Sequence, residues 1–496
     1  MIYLTGENVF SFNSGTEFSL FERLKAFNNN GLKTKLLVRN YNRMLAKDIS
    51  EHHINEADVL NMYDYFQDAV GLNRIERPLR LLESMPLKDY HIVMIDNNSS
   101  ELQYQGKVVG KVNVMPETIG LVGTIEYYDH LGYVMTKEYW DWRGFRSMVE
   151  TYHPDGSIAS QQFLRPDGTP ALEVTHMYVG KQVLPSSYKL LDYRGKDYLF
   201  DTEEQLFTFF LNEVNASAKG TFISDRRSLD QSVLGVLDAK EKLAYIHSSP
   251  FIDLKKKKLG ILPAYKLALT AGNFDKVIFP TTNEADDVKE YFAKDLVTAV
   301  ALDSYVENIF EPKSLSTNKT LIYVGRLSED KNITDLVKVF KVMHERDASL
   351  KLKLQGYFST AKYHEQLETL IKEYQLQGAV EFIFYRYDLE DIYQNATLFL
   401  NASHSEGFGM NMLESMAHGV PVVSYVIDYT EKNLLVDGYN GANVKNRSPR
   451  MLAQKALELL GSNEKYQALS ANALETAKKH DENSFMLAWD KCLKDS

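Results

Sequence analysis

Ser403-His404-Ser405-Glu406-Gly407-Phe408-Gly409-Met410-Asn411-Met412-Leu413-Glu414-Ser415-Met416-Ala417-His418-Gly419-Val420-Pro421 is the stretch on which the reading of this chain turns. The run before it, Ala396-Thr397-Leu398-Phe399-Leu400-Asn401-Ala402, carries enough large apolar side chains for a buried parallel strand. After Gly409 the period changes: Met410, Leu413, Met416 and Ala417 recur at helical spacing, Gly419 stands where a C-terminal cap glycine belongs, and Pro421 stops the helix. Val422-Val423-Ser424-Tyr425-Val426 then reads as the next strand. A strand, glycine loop, helix and strand in that order place the loop at the carboxyl end of a parallel sheet, where open α/β folds bind ligands. The free N–H groups of Gly407, Phe408, Gly409, Met410 and Asn411 and the positive end of the helix dipole suit an anion or sugar hydroxyls.

The stretch carries two carboxylates, Glu406 in the loop and Glu414 in the helix. Eight helical residues span about 12 Å, against roughly 5–9.5 Å for the carboxyl pair of a glycosidase, so two separate hydroxyl-binding roles fit better than one hydrolytic pair. Taken alone, Glu414 reads equally as a solvated helix residue and Glu406 as a loop charge.

A second constellation precedes it. Leu321-Ile322-Tyr323-Val324 reads as a strand, Gly325 to Asn332 as a polar loop, and Ile333 to Met343 as an amphipathic helix. Arg326 and Lys331 therefore project from one strand-to-helix corner. Two cations so placed can neutralise a diphosphate, the guanidinium by its donor fork and the ammonium as a point charge. Either alone is more often a surface ion pair.

Gly325-Arg326-Leu327 with Lys331, and Glu406 with Glu414, resemble the retaining family-four glycosyltransferases of the B-type fold, over roughly residues 318–490. The resemblance implies a UDP-sugar as co-substrate. In it, Arg326 and Lys331 hold the nucleotide diphosphate, Glu406 contacts the donor sugar and Glu414 the ribose hydroxyls, while His247, after a buried strand, stands near the donor sugar. Tyr385, within Phe384-Tyr385-Arg386-Tyr387-Asp388-Leu389, falls where the family touches the base, and Gly356-Tyr357 replaces the family's commoner Gly-x-Gly. The family's Pro-Asn-Gly after the crossover strand is absent, with Glu307 to Pro312 near that place.

The start of the chain reads as a strand, Ile2-Tyr3-Leu4, a loop, Asn13-Ser14-Gly15-Thr16-Glu17, a helix with Phe18, Leu20, Phe21, Leu24 and Phe27, and a strand over Lys33 to Val38. Gly15 is expected in the loop, where a glycine lets backbone approach a ligand, or in a plain tight turn. The Asn-Ser-Gly-x-Glu form resembles bacterial enzymes that glycosylate serine-rich surface proteins, in which this loop faces the donor phosphates.

Between about 95 and 215 the helical period gives way to aromatic and β-branched strands around turns at Tyr127 to Tyr133, His153 to Ser157 and Arg165 to Thr169. Asp-Gly between alternating strands is a strong hairpin signal, so an antiparallel β-meander is expected here. Trp140 and Trp142 are expected as exposed aromatics of that meander, for acceptor contact or for sheet packing. A similar insertion occurs in wall teichoic acid and serine-rich adhesin glycosyltransferases, where it serves acceptor contact or homo-oligomerisation.

The expected fold is α/β: two Rossmann-like domains facing a cleft, with an antiparallel β-meander inserted in the first. Residues 1–94 and 216–315 would form the N-terminal domain, 95–215 the insertion, 316–480 the nucleotide-sugar domain and 481–496 a C-terminal helix. A chain of 496 residues exceeds what one core usually supports, and 44% hydrophobic residues suffice for globular packing. The one cysteine, Cys492, excludes an intrachain disulfide and any cysteine metal site. No basic leader with an apolar core opens the sequence and no run approaches a membrane span, so a cytoplasmic protein is expected, with peripheral attachment to the inner membrane face as a second reading. A formal charge of −11 argues against nucleic acid as partner. Lys255-Lys256-Lys257-Lys258 is the one notable basic run; it reads as a solvated loop or helix end, or as a contact for an anionic acceptor or membrane.

What the resemblance implies is metal-independent transfer with retained anomeric configuration, of N-acetylglucosamine from UDP-GlcNAc to serine hydroxyls of a bacterial surface protein with serine-rich or serine-aspartate repeats. The alternatives are α-GlcNAc or α-glucosyl transfer to wall teichoic acid and, in another class, a non-catalytic acceptor-binding subunit of a glycosyltransferase complex.

Overall fold

The structure, a computed structural model, describes residues 1–77, 89–317, 319–386, 388–430 and 434–494. Expectations that fall on 78–88, Asn318, Tyr387 and 495–496 lie outside the described residues. The chain forms two compact units, residues 1–13 with 32–242 and residues 14–31 with 243–496.

In the first unit the strands Thr221–Ser224, Ile2–Gly6, Thr34–Val38 and Val59–Asn61 lie side by side in that order, all parallel. Ile2–Gly6 and Thr221–Ser224 are buried along their whole length, as strands covered on both faces must be. Helix Glu203–Asn215 starts where Thr202 accepts the Gln205 N–H, and helix Met62–Phe66 where Asn61 accepts those of Tyr63 and Asp64.

The meander is a ten-stranded antiparallel sheet from His91–Met94 to Lys196–Phe200, each strand pairing with the one before it. Its turns recur every twelve residues, at Gly120, Gly132, Gly144, Gly156, Gly168 and Gly180, all with positive φ. Seven-residue strands such as Val134–Trp140, Arg146–Tyr152 and Ile158–Leu164 alternate with turns whose left-handed position only glycine takes without strain. At two of them Asp155 and Asp167 accept the N–H two residues on, of Ser157 and Thr169.

Trp140 corrects the expectation of exposed aromatics: it is buried with Leu102, Val112, Met115, Val122 and Ile125, because this face of the sheet is covered. Trp142 is half-buried beneath the Arg74 guanidinium, 3.9 Å from its ring centre. The turn between these strands is fastened to the parallel layer by Arg143. Its guanidinium donates to Asp141 Oδ1 at 2.7 Å, to Asp64 Oδ1 at 2.7 Å and to the Ala69 carbonyl at 2.8 Å. Burial nonetheless pushes the Asp64 carboxyl above the usual carboxylate range, against the Arg143 charge.

The second unit contains the parallel strands Lys276–Phe279 and Thr298–Val300, residues 243–245 of the strand Glu241–Tyr245 beside them, and a six-stranded parallel sheet. In that sheet the order is Val380–Phe384, Lys351–Gly356, Thr320–Val324, Leu398–Asn401, Val422–Tyr425, Gly441–Val444. Successive strands run outward one way from Thr320–Val324 and then the other way from Leu398–Asn401, so the order reverses between these two. The carboxyl end of such a switch point is where open α/β sheets bind ligands. The core beneath it includes Leu321, Tyr323, Leu336, Phe340, Phe399, Leu413 and Met416, none more than 1% exposed.

Helix Gly15–Asn29 also belongs to this unit. Ser14 is its N-cap and Glu17 closes a capping box, so Gly15 is the first helical residue rather than part of a loop. Fully buried Arg23 lies against the stacked rings of Tyr245 and Trp489, 4.4 and 4.3 Å from their centres.

Candidate active site

Both predicted loops emerge at the switch point. Asn332, at φ 53°, stands at the N-cap position of helix Ile333–His344, and the preceding Lys331 reaches the other loop. Lys331 Nζ lies 2.7 Å from Glu406 Oε2, with side chains 19% and 10% exposed. The second oxygen, Oε1, is buried and has no hydrogen-bond partner among the described residues. Arg326, by contrast, is exposed and pairs with Asp330 at 3.0 Å. Against burial, the neighbouring Ser328 hydroxyl and the charges of Arg326 and Lys331 hold the Asp330 carboxyl below the usual carboxylate range.

The Glu406 loop is tied down by its backbone. Arg447 donates to the carbonyls of Ala402, Ser403 and His404 at 3.1, 2.7 and 3.2 Å, Asn332 donates to that of Ala402 at 3.3 Å, and the His404 N–H reaches the Asp330 carbonyl at 3.0 Å. Gly407 packs on the backbone of His247: a Cβ there would lie 1.9 Å from the His247 carbonyl oxygen. That close approach permits no side chain.

His247 Nδ1 is 2.9 Å from Asp303 Oδ1, and the same oxygen accepts from Ser19 Oγ at 2.6 Å. Burial raises the Asp303 carboxyl, but His247 and the Ser19 bond outweigh it and hold the group below the usual range. An ionised Asp303 accepts the Nδ1 proton, which fixes the tautomer and ring plane of His247.

Glu414 is bonded elsewhere: Tyr393 Oη donates to its Oε2 at 2.7 Å, and burial pushes its carboxyl up. The two glutamates thus have separate partners, as two separate roles require. Glu22, on helix Gly15–Asn29, accepts from Ser304 Oγ at 2.7 Å, and burial, with the Glu414 charge adding to it, raises its carboxyl to about 8. Phe408 is 1% exposed and packs into the core of this unit. Asn411 spends its amide on the Val324 carbonyl, at 2.9 Å. Met410 lies against Gly15, its sulfur 3.8 Å from where a Cβ of Gly15 would stand, and Tyr385 packs edge-on against Tyr357 with ring centres 5.9 Å apart.

The structure therefore brings Lys331, Glu406, Gly407 and His247 into direct or backbone contact and leaves Arg326 outward. Sequence reading missed Asp303, Arg447, Tyr393 and Glu22: each acts through a partner far along the chain, and no local spacing marks it. Among the described residues no three His, Cys, Asp or Glu side chains converge as a metal site.

The family model for group 1 glycosyl transferases matches residues 306–476. These residues form a group 1 glycosyltransferase domain. The chain is 26% identical over 291 residues to the poly(glycerol-phosphate) alpha-glucosyltransferase of Bacillus subtilis, covering 58% of this chain and 42% of that protein. It is 25% identical over 320 residues to the UDP-N-acetylglucosamine–peptide N-acetylglucosaminyltransferase GtfA subunit of Streptococcus gordonii, covering 61% and 62%. It thus spans less than two thirds of the length of these curated relatives. The fold is that of the pneumococcal O-GlcNAc transferase GtfA, solved in complex with UDP and GlcNAc: TM-score 0.83 at 18% identity, over 100% of this chain and 98% of that one. The expected α/β class, with Rossmann-like parallel sheets and an antiparallel insertion, is the one that forms. The glycosyltransferase domain contains Arg326, Lys331, Glu406, Glu414 and Arg447, while His247 and Asp303 precede it.

Proposed function

We propose that this chain is a retaining, metal-independent glycosyltransferase that moves GlcNAc from UDP-GlcNAc to serine hydroxyls of a protein with serine-rich or serine-aspartate repeats. The observation that carries the reading is the Lys331–Glu406 pair at the switch point of a group 1 glycosyltransferase domain, with one oxygen of Glu406 buried and unpartnered. A buried acceptor without a donor is costly until a hydroxyl supplies one, which a sugar does. A diphosphate draws Lys331 to itself, and Glu406 then keeps both oxygens for donor-sugar hydroxyls.

In this reading Arg326, Lys331 and the N–H groups from Gly407 to Asn411 stabilise the departing diphosphate. Fixed charges aimed at developing charge are usually the largest catalytic contribution. Glu414 takes the ribose, Tyr385 the base, and His247, oriented by Asp303, the donor sugar. The acceptor hydroxyl approaches on the leaving-group face, and no divalent cation takes part.

Transfer to wall teichoic acid is the second reading, favoured by the likeness to the poly(glycerol-phosphate) alpha-glucosyltransferase over 58% of this chain. A non-catalytic subunit would be expected to have lost part of the donor site, whereas Arg326, Lys331, Glu406 and Glu414 all stand here. The deciding experiment is the intact mass of a serine-aspartate repeat peptide after incubation with this protein and UDP-GlcNAc in chelator. Added HexNAc supports the reading. An unmodified peptide, with transfer instead to a teichoic acid polymer, rejects it in favour of the second.

A further inference from the structure

The lysine run has no part in the site above, and its structure gives it one of its own. Shortly after His247 the chain makes a short hairpin: Phe251 and Ile261 bridge antiparallel, Ile252 N–H donates to the Gly260 carbonyl at 3.1 Å and Leu262 N–H to that of Pro250 at 2.7 Å. Its base is anchored by Phe251, 5% exposed. Lys257 turns inward to an ion pair with Asp287, which also accepts from Tyr429 Oη at 2.6 Å. Lys255, Lys256 and Lys258 point outward, exposed, and make no ion pair among the described residues. Exposed aliphatics flank them in the chain, Ile252 at 53%, Leu259 at 59% and Leu262 at 40%. Asp253 is the one acid of the hairpin, and its carboxylate accepts the Lys255 backbone N–H at 2.8 Å.

We propose that this hairpin, residues 250–262, is a docking surface for an anionic lipid bilayer. Three cations with no ion pair among the described residues concentrate positive charge at this hairpin on a chain of net charge −11. Charge alone would suit any polyanion. The three aliphatics decide for the bilayer, because a headgroup layer offers apolar depth beneath its phosphates and a soluble polyphosphate chain offers none. Lysine stems lie along the interface with their ammonium groups at phosphate level while the aliphatics enter below.

The test is co-sedimentation of the full chain with vesicles of pure phosphatidylcholine and of phosphatidylglycerol. Sedimentation with phosphatidylglycerol only, weakened by salt, is expected. The Lys255→Glu, Lys256→Glu, Lys258→Glu variant should lose about a hundredfold or more in partition. The Ile252→Ser, Leu259→Ser, Leu262→Ser variant should lose about tenfold. None of the six lies in the donor site, so UDP binding by each variant serves as the folding control. Absence of binding to phosphatidylglycerol overturns the proposal. So does an aliphatic variant that binds as tightly as the parent while charge reversal abolishes capture of soluble poly(glycerol phosphate), since the surface would then read a polymer.

Discussion

Lys331 Nζ and Glu406 Oε2 meet at 2.7 Å across the two loops of the switch point, so the cation expected for the diphosphate and the carboxylate expected for the sugar neutralise each other. Neither group then stands as an isolated buried charge. Removing one partner of a largely buried pair costs more than the pair itself contributes, roughly 3–5 kcal/mol where burial is complete. Lys331→Ala and Glu406→Ala should each lower kcat/KM for the UDP-sugar by about a hundredfold or more. Steady-state kinetics checks this, and undiminished transfer by either variant removes that residue from the proposed machinery.

Gly407→Ala should be as damaging as the loss of a charge. The added methyl would stand 1.9 Å from the His247 carbonyl, so either the Glu406 loop or the His247 backbone must move. Overpacking of this kind costs about 1–3 kcal/mol of stability. Transfer should fall much further than thermal stability does, read from kcat/KM beside the melting temperature.

Arg447 is a positioning residue for Glu406. Its planar fork serves three carbonyls, of Ala402, Ser403 and His404, which a lysine ammonium cannot match in geometry. Arg447→Lys should raise KM for the donor about tenfold with the fold intact. Hydrogen exchange should quicken at the amides of 402–409, a change that loss of charge elsewhere in the domain would not produce.

Glu284 gives the protein a pH dependence of stability. It is fully buried, neither carboxylate oxygen has a hydrogen-bond partner among the described residues, and burial, with Asp303 and Asp287 adding to it, raises its carboxyl from 4.5 to about 8. The folded state therefore holds this proton where the unfolded chain has released it. Stability should fall as pH rises from 4.5 to about 8, by up to ~1.4 kcal/mol per pH unit, and level off above. Glu284→Gln keeps the shape without the charge, so urea denaturation of this variant across that window should show a flatter profile.

Much of the site could be read before any coordinates. The apolar run to Ala402, the helical spacing from Met410 to Ala417 and the stop at Gly419 and Pro421 are local signals, and the strand and helix they announce form at Leu398–Asn401 and Met410–Ala417. The Asp-Gly turns announced the meander for the same reason: a left-handed glycine between alternating strands is decided within a few residues.

Other features depend on residues far apart in the chain. The burial of Trp140 depends on which face of the meander is covered, and alternation along one strand does not say. Gly15 moved from loop to helix because Ser14 and Glu17 close a capping box that competes with a turn. The His247–Asp303 bond, the three carbonyls held by Arg447 and the approach of Gly407 to His247 join residues 40 to 160 positions apart. Periodicity and spacing set local conformation and the type of each layer, because backbone preference and burial act over a turn or a strand. The pairing of Lys331 with Glu406, and the carboxylate oxygen left without a donor, were decided only when strand order brought two distant loop ends to the same edge of the sheet.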